Sequence, residues 1–219
     1  LRDEYLVSAA LQGRVVPVLH LSNLDEREQF SGELAHDLLE DKDSQKELIE
    51  DILETADRRG YQWVDVDFEY VHGEDAQAYA QFLARLRRAL APSGRPLMAA
   101  LAPKTSPNQL GRLYEGIDYR LISQSVDFAL LMTYDWGNLA SPPMAVAPLP
   151  EVRRVVDYAL TEFTPNQLYL GIPNYGYDWT LPYREGSRAR SLSNVEAVRL
   201  AWNRRASIRY DQQAQAPWF

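Results

Sequence analysis

The 219-residue sequence contains no cysteine, so disulfides, thiolate metal sites and a cysteine nucleophile are excluded, while the compartment stays open. No apolar run approaches the ~18 residues of a membrane span. The opening LRDEYLVSAALQG lacks the basic stretch, apolar stretch and cleavage site of a signal peptide, although a longer precursor could have carried either feature. Positive charge is not in excess either: a net charge of −8 and a pI near 5.0 argue against a broadly basic, nucleic-acid-binding surface. Glycine-rich phosphate loops of the GxGxxG or GxxxxGK[ST] type are missing. The three histidines, His20, His36 and His72, are scattered without metal-ligand spacing, and read as surface or packing residues.

What remains is a globular chain, 46% hydrophobic and 25% charged, long enough to bury a core as one large domain or two small ones. Leu1 to Gly13 suits a short helix, and Val15 to Leu21 a buried strand. After the polar loop SNLDEREQF, Ser44 to Arg59 is helical, with Ser44 and Glu47 as a capping box and Gly60 past the end. Then follow a strand at 62–70, a helix from Asp75 to Leu90, a strand at 97–103, a short helix at 107–116 and a strand at 126–135. A helix at 151–163 and a strand at 167–176 come next, and Ser193 with Glu196 opens a last helix. The segment SPPMAVAPLP at 141–150 reads as a loop. Strands alternating with helices imply a covered parallel sheet, either doubly wound or part of a (β/α)8 barrel. In a barrel the chemistry sits at the C-terminal strand ends. Those ends carry Ser22 and Asn23, Asp67 and Glu69, Pro103 and Lys104, Tyr134 and Asp135, and Asn174 and Tyr175.

The segment WVDVDFEYV alternates apolar Val64, Val66 and Phe68 with acidic Asp65, Asp67 and Glu69. Side chains two apart on a strand share a face, so the three acids form a ladder. In a covered sheet, desolvation and like-charge repulsion raise carboxyl pKa values, and at least one acid is expected to hold a proton near neutrality, as a general acid requires. Two other readings stand beside it: an amphipathic strand with its acidic side in water, and oxygen ligands for Mg²⁺ or Ca²⁺. The rings of Trp136, Tyr175, Tyr177 and Trp179 follow strand ends and suit either stacking on sugars or packing under loops. Lys104 reads as a solvated loop charge before a cleft residue. Asn23 and Asn174 are candidates for sugar hydroxyls.

VDVDFE resembles the end of the DxxDxDxE signature of glycoside hydrolase family 18, the chitinase-like (β/α)8 barrels, and LLMTYDWG resembles the family's MxYD motif. MAALAPKTS and LYLGIPNYGYDWTLPY are similar to its fifth and seventh strands. Within the family the string of motifs is most similar to spore-cortex N-acetylglucosaminidases, which act on peptidoglycan and often carry LysM modules. The resemblance implies a TIM-type α/β barrel and a glycan substrate, without cofactor, metal, nucleic acid or membrane span. It implies an extracytoplasmic, spore- or wall-associated setting. It makes Glu69 the acid/base, Asp67 the acid that orients the 2-acetamido group and turns between Asp65 and Glu69, and Tyr134 the donor to the acetamido carbonyl. Asp135 joins Trp136, Asn174, Tyr175, Tyr177 and Asn23 as sugar-binding candidates. The implied mechanism is retaining and substrate-assisted. Gln62 stands where the signature has its first aspartate. The strands match the family's third to seventh, so residues 1–219 are expected to be a single catalytic domain truncated at both ends, with open edges prone to pairing. A glycan-binding module of the same fold is the alternative, and a metal-dependent hydrolase a third.

Overall fold

The computed structural model describes residues 3–219 and resolves the chain into two compact units. The first runs up to Leu131 and takes in Ala159–Tyr169; the second comprises Met132–Tyr158 and Leu170–Phe219.

The first unit contains α1 (Glu4–Gln12), β1 (Val18–Ser22), α2 (Gly32–Glu40), α3 (Lys42–Arg59), β2 (Trp63–Asp67), α4 (Ala76–Leu90), β3 (Leu97–Leu101), α5 (Tyr119–Ser123) and β4 (Phe128–Leu131). The end of α6 (Leu149–Glu162) then leads into β5 (Leu168–Leu170). The sheet order is β1-β2-β3-β4-β5, and the first three pairings are parallel. Each strand joins the edge left by its predecessor. No reversal of order occurs, so the switch point of a doubly wound sheet is lacking and the winding is that of a barrel.

Val64 and Val66 of β2, Leu97, Ala99 and Leu101 of β3, and Ala129 and Leu131 of β4 share the helix-covered face and are wholly buried. Tyr79, Phe82, Leu83, Leu86 and Leu90 recur at helical spacing along α4 and are equally buried. Phe68 stacks on Tyr79 and Phe82, with centroids 5.6 and 5.9 Å apart. The other sheet face is chemically different: the register aligns His20, Asp65, Met98 and Phe128 in one row, with Ser22 beside Asp67 above it. Trp63 stacks on Phe128 at 4.8 Å beneath that row.

Several boundaries differ from the sequence reading for local reasons. The Leu1–Gly13 helix is described over Glu4–Gln12, with Leu1 and Arg2 outside the described residues. Helix α2 lies just after the polar loop, in a stretch given no element from sequence; Ser31 caps it by accepting from the Leu34 amide at 3.1 Å. The cap of α3 is Asp41 rather than Ser44: Asp41 accepts from the Asp43 amide, and the Ser44 hydroxyl donates to Asp41 at 2.7 Å instead of closing a box with Glu47. Gly60 ends that helix at φ 82°, as read. The expected 107–116 helix is absent and the helical turn falls at α5: Gly111 at φ 124° breaks the helical course, and Lys104 gathers the loop by donating to the carbonyls of Pro107, Tyr114 and Ile117.

The second unit holds most of α6, the antiparallel pair β6 (Tyr175–Asp178) and β7 (Arg190–Ser193), helix α7 (Asn194–Asn203), and the antiparallel pair β8 (Arg209–Asp211) and β9 (Ala216–Trp218). The strand read over 126–135 ends at Leu131, and the one read over 167–176 divides into β5 and β6. The capping box at α7 is present: Ser193 Oγ accepts from the Glu196 amide at 3.2 Å, and Glu196 accepts from the Ser193 amide at 2.8 Å. Residues 141–148 are loop, with the Trp136 and Gly137 amides donating to the carbonyls of Val146 and Ala145 at 3.0 Å each.

Candidate active site

The acids of β2 lie on a sheet that is covered on both sides at this point: Asp65 is 6% exposed, between Val64 and Val66 at zero. The reading of an acidic face in open water therefore fails for Asp65. Asp67 and Glu69 are half-buried. Burial raises the Asp67 carboxyl above its ordinary range, with the Asp65 charge adding to the rise and His20 opposing it. One oxygen each of Asp65 and Asp67 is buried without a hydrogen-bond partner. At Asp67 such an oxygen acts with burial to favour the protonated form and leaves the carboxyl free to turn.

His20 is the group that sequence reasoning missed here. Its Nδ1 lies 2.8 Å from Asp65 and its Nε2 3.8 Å from Asp67, so it bridges two rungs of the ladder. The hydrogen bond to Asp65 raises the His20 pKa against the opposing effect of burial. The signal was spatial: β1 pairs His20 directly with Asp65, a register the sequence does not print.

Glu69 lies two residues beyond the end of β2, and the side chain of Asn23 binds its backbone. The side-chain amide of Asn23 donates to the Glu69 carbonyl at 2.8 Å and its carbonyl oxygen accepts from the Glu69 amide at 3.0 Å, while the same side chain donates to the Ser31 carbonyl at 2.8 Å. Asn23 is 2% exposed, so it holds the backbone of Glu69 rather than presenting an amide to a sugar. The next residue, Tyr70, adopts φ 57°, a left-handed conformation unusual for a bulky side chain that turns the chain sharply after Glu69.

Lys104, read as a solvated charge, is 2% exposed and donates to the Pro107, Tyr114 and Ile117 carbonyls at 3.0, 3.1 and 2.7 Å. Burial pushes its pKa down, with Asp118 opposing the shift. It organises the loop after β3 and carries no free charge into a cleft.

In the second unit, exposed Asp135 adopts φ 65° and accepts from the hydroxyls of Tyr175 at 2.8 Å and Tyr177 at 3.1 Å. Burial, with the Asp135 carboxylate beside it, pushes the Tyr177 phenol up to about 12 and raises Tyr175 as well, so both remain donors. Trp179 donates to the Ser141 carbonyl at 2.9 Å and packs edge-on against Tyr177. Thr133 donates to the Gly171 carbonyl at 2.8 Å. Tyr134 and Trp136 are half-buried and Asn174 is exposed.

His36 and His72 are not scattered: their ring centroids are 5.5 Å apart, with the Asp75 carboxylate 2.9 Å from His36 and 3.7 Å from His72. No helix among the described residues is long and apolar enough to cross a membrane.

A sequential parallel α/β sheet with an acidic ladder on one strand defines a class, and a family comparison gives it a name. The model of Glycosyl hydrolases family 18 matches residues 28–219, and the chain belongs to that family. The Cortical fragment-lytic enzyme of Bacillus subtilis (strain 168) is 46% identical over 200 residues, which take in 91% of this chain and 46% of that protein. The crystal structure of the Bacillus cereus spore cortex-lytic enzyme SleL is similar with a TM-score of 0.95 at 40% identity, covering 100% of this chain and 50% of that one. The chitinase from Chromobacterium violaceum ATCC 12472 shares the fold, with a TM-score of 0.91 at 24% identity over 99% of this chain and 67% of that one. The chain spans about half the length of the curated relatives it matches.

Proposed function

We propose that the chain carries the acid/base machinery of a glycosidase that cleaves β-1,4 bonds after N-acetylglucosamine in spore-cortex or cell-wall peptidoglycan. One observation carries the chemistry: a covered strand bears two carboxyls, that of Asp67 raised by burial, and two residues past its end stands Glu69, whose backbone is clamped by a buried asparagine. The names of the cortical fragment-lytic and spore cortex-lytic relatives support the substrate and an association with the spore; the extracytoplasmic setting rests on the family resemblance.

In this reading the Glu69 carboxyl donates its proton to the glycosidic oxygen as the C1–O bond breaks. The substrate's acetamido oxygen attacks C1, giving a cyclic oxazolinium ion, and Asp67 turns to accept the acetamido N–H and stabilise the positive charge. Water then attacks C1 while the Glu69 carboxylate takes its proton, and the ring reopens with the β configuration retained. Asp65, paired with His20, is the stationary rung against which Asp67 turns. On the family resemblance, Tyr134 donates to the acetamido carbonyl, and Asp135, Trp136, Asn174, Tyr175 and Tyr177 bind sugar. Proton NMR of the first product formed from a muropeptide-free GlcNAc oligomer tests the route. The β-anomer is expected first; an α-anomer at early times would mean direct displacement by water and would remove the acetamido group from the mechanism.

A further inference from the structure

We propose that the first unit holds a divalent transition-metal site, of the zinc class, formed by His36, His72 and Glu74 and sharing no residue with the carboxylate ladder. One ring nitrogen of each histidine and one Glu74 carboxylate oxygen lie within 4.8 Å of one another. Two imidazoles and a carboxylate are a donor set that zinc takes readily, with a fourth position left to water.

The residues are brought together from separate elements. His36 belongs to α2, while His72 and Glu74 lie in the segment between β2 and α4. Gly32, at the start of α2, permits the approach: a Cβ there would meet the Tyr70 carbonyl at 2.5 Å and His72 Nε2 at 2.9 Å. A side chain at position 32 would push the His72 segment away.

Asp75 supplies an independent sign. It closes the 3-10 turn Gly73–Asp75 that leads into α4, and its side chain makes no bond to the helix amides. It is 2% exposed, and its carboxylate faces Nδ1 of His36 at 2.9 Å and Nδ1 of His72 at 3.7 Å. A buried carboxylate that takes the Nδ1–H of a histidine fixes its neutral tautomer and ring orientation, which is how the outer shell of a metal site prepares its ligands. Glu74 is exposed and closes the set from the solvent side. A metal held here would tie α2 to the segment that leaves Glu69. The site is thus a structural clamp, and the rival occupant is a proton on one imidazole.

The test is titration of the metal-free, full-length protein with Zn²⁺ against a chromogenic chelator above neutral pH, with Co²⁺ absorption as a report on geometry. One equivalent should bind, with a Co²⁺ spectrum of tetrahedral type and a rise in melting temperature that a chelator reverses. His36→Ala or His72→Ala should abolish stoichiometric binding, and Asp75→Asn should weaken it by about 10- to 100-fold. Glu74→Gln, on the surface and harmless to folding, should weaken it by a similar factor, which keeps the test decisive where a histidine variant folds poorly. His20→Ala should leave it unchanged. Absence of stoichiometric binding, or binding undiminished by Glu74→Gln and His72→Ala, overturns the site and leaves the proton as the occupant.

Discussion

His20 and Asn23 stand three residues apart and serve the ladder in different ways, one through charge and one through the backbone. Protonated His20 lowers the pKa of Asp67 against the larger effect of burial. His20→Ala should therefore move the acid limb of the kcat/KM profile to higher pH, and a limb that stays in place would remove His20 from the tuning of the ladder. The sign for stability is separate. The folded-state pKa of His20 is raised above 6.5, so its pairing with Asp65 stabilises the fold fully below that value and is lost as pH climbs through the raised one. Asp67, raised by burial, acts in the same direction from 3.8 upwards. Urea denaturation at stepped pH should show wild-type stability falling across the His20 window and a flatter response in His20→Ala. Asn23→Ala removes the two hydrogen bonds that hold the Glu69 amide and carbonyl; kcat should drop at least about tenfold, with a stability loss of about 1–3 kcal/mol. A variant with unchanged kcat would reduce Asn23 to packing. The acids were legible in the sequence because a period of two is written into six consecutive residues. Neither His20 nor Asn23 was legible as a partner, because only the parallel register that sets Ser22 against Asp67 brings their strand end to Glu69.

At the scale of elements, secondary structure was readable where a local pattern decides it and misread where a distant side chain does. The apolar stripe of α4, Gly60 after α3 and the Ser193–Glu196 box are self-contained signals, and each has its expected place. The 107–116 segment was read as helical but gives the Pro107 and Tyr114 carbonyls to Lys104, which also takes that of Ile117, contacts no window of sequence can display. Lys104→Met should orphan those acceptors and destabilise the first unit by about 2 kcal/mol in chemical denaturation, with little change in KM. A neutral substitution would show that water replaces the ammonium without cost. The β6–β7 and β8–β9 pairs went unread because their strands are short and mostly exposed, with too few alternating apolar positions to mark a face.

Across the whole molecule, the alternation of strands and helices foretold the parallel sheet, and its sequential order decided between the two architectures that alternation allows. The family was legible because several motifs stand in the right order along the chain, and the match over residues 28–219 agrees with it. The grouping of His36 with His72 was not legible, since it depends on a glycine at the start of α2 that lets two distant segments touch. The central claim is that Glu69 is the proton donor at the end of the ladder. It is tested by turnover of a chromogenic N-acetylglucosamine oligomer by Glu69→Gln in the full-length protein, with its melting temperature measured alongside. A fall of about a hundred- to ten-thousand-fold with unchanged melting temperature is expected; turnover at the wild-type rate would contradict the assignment of Glu69.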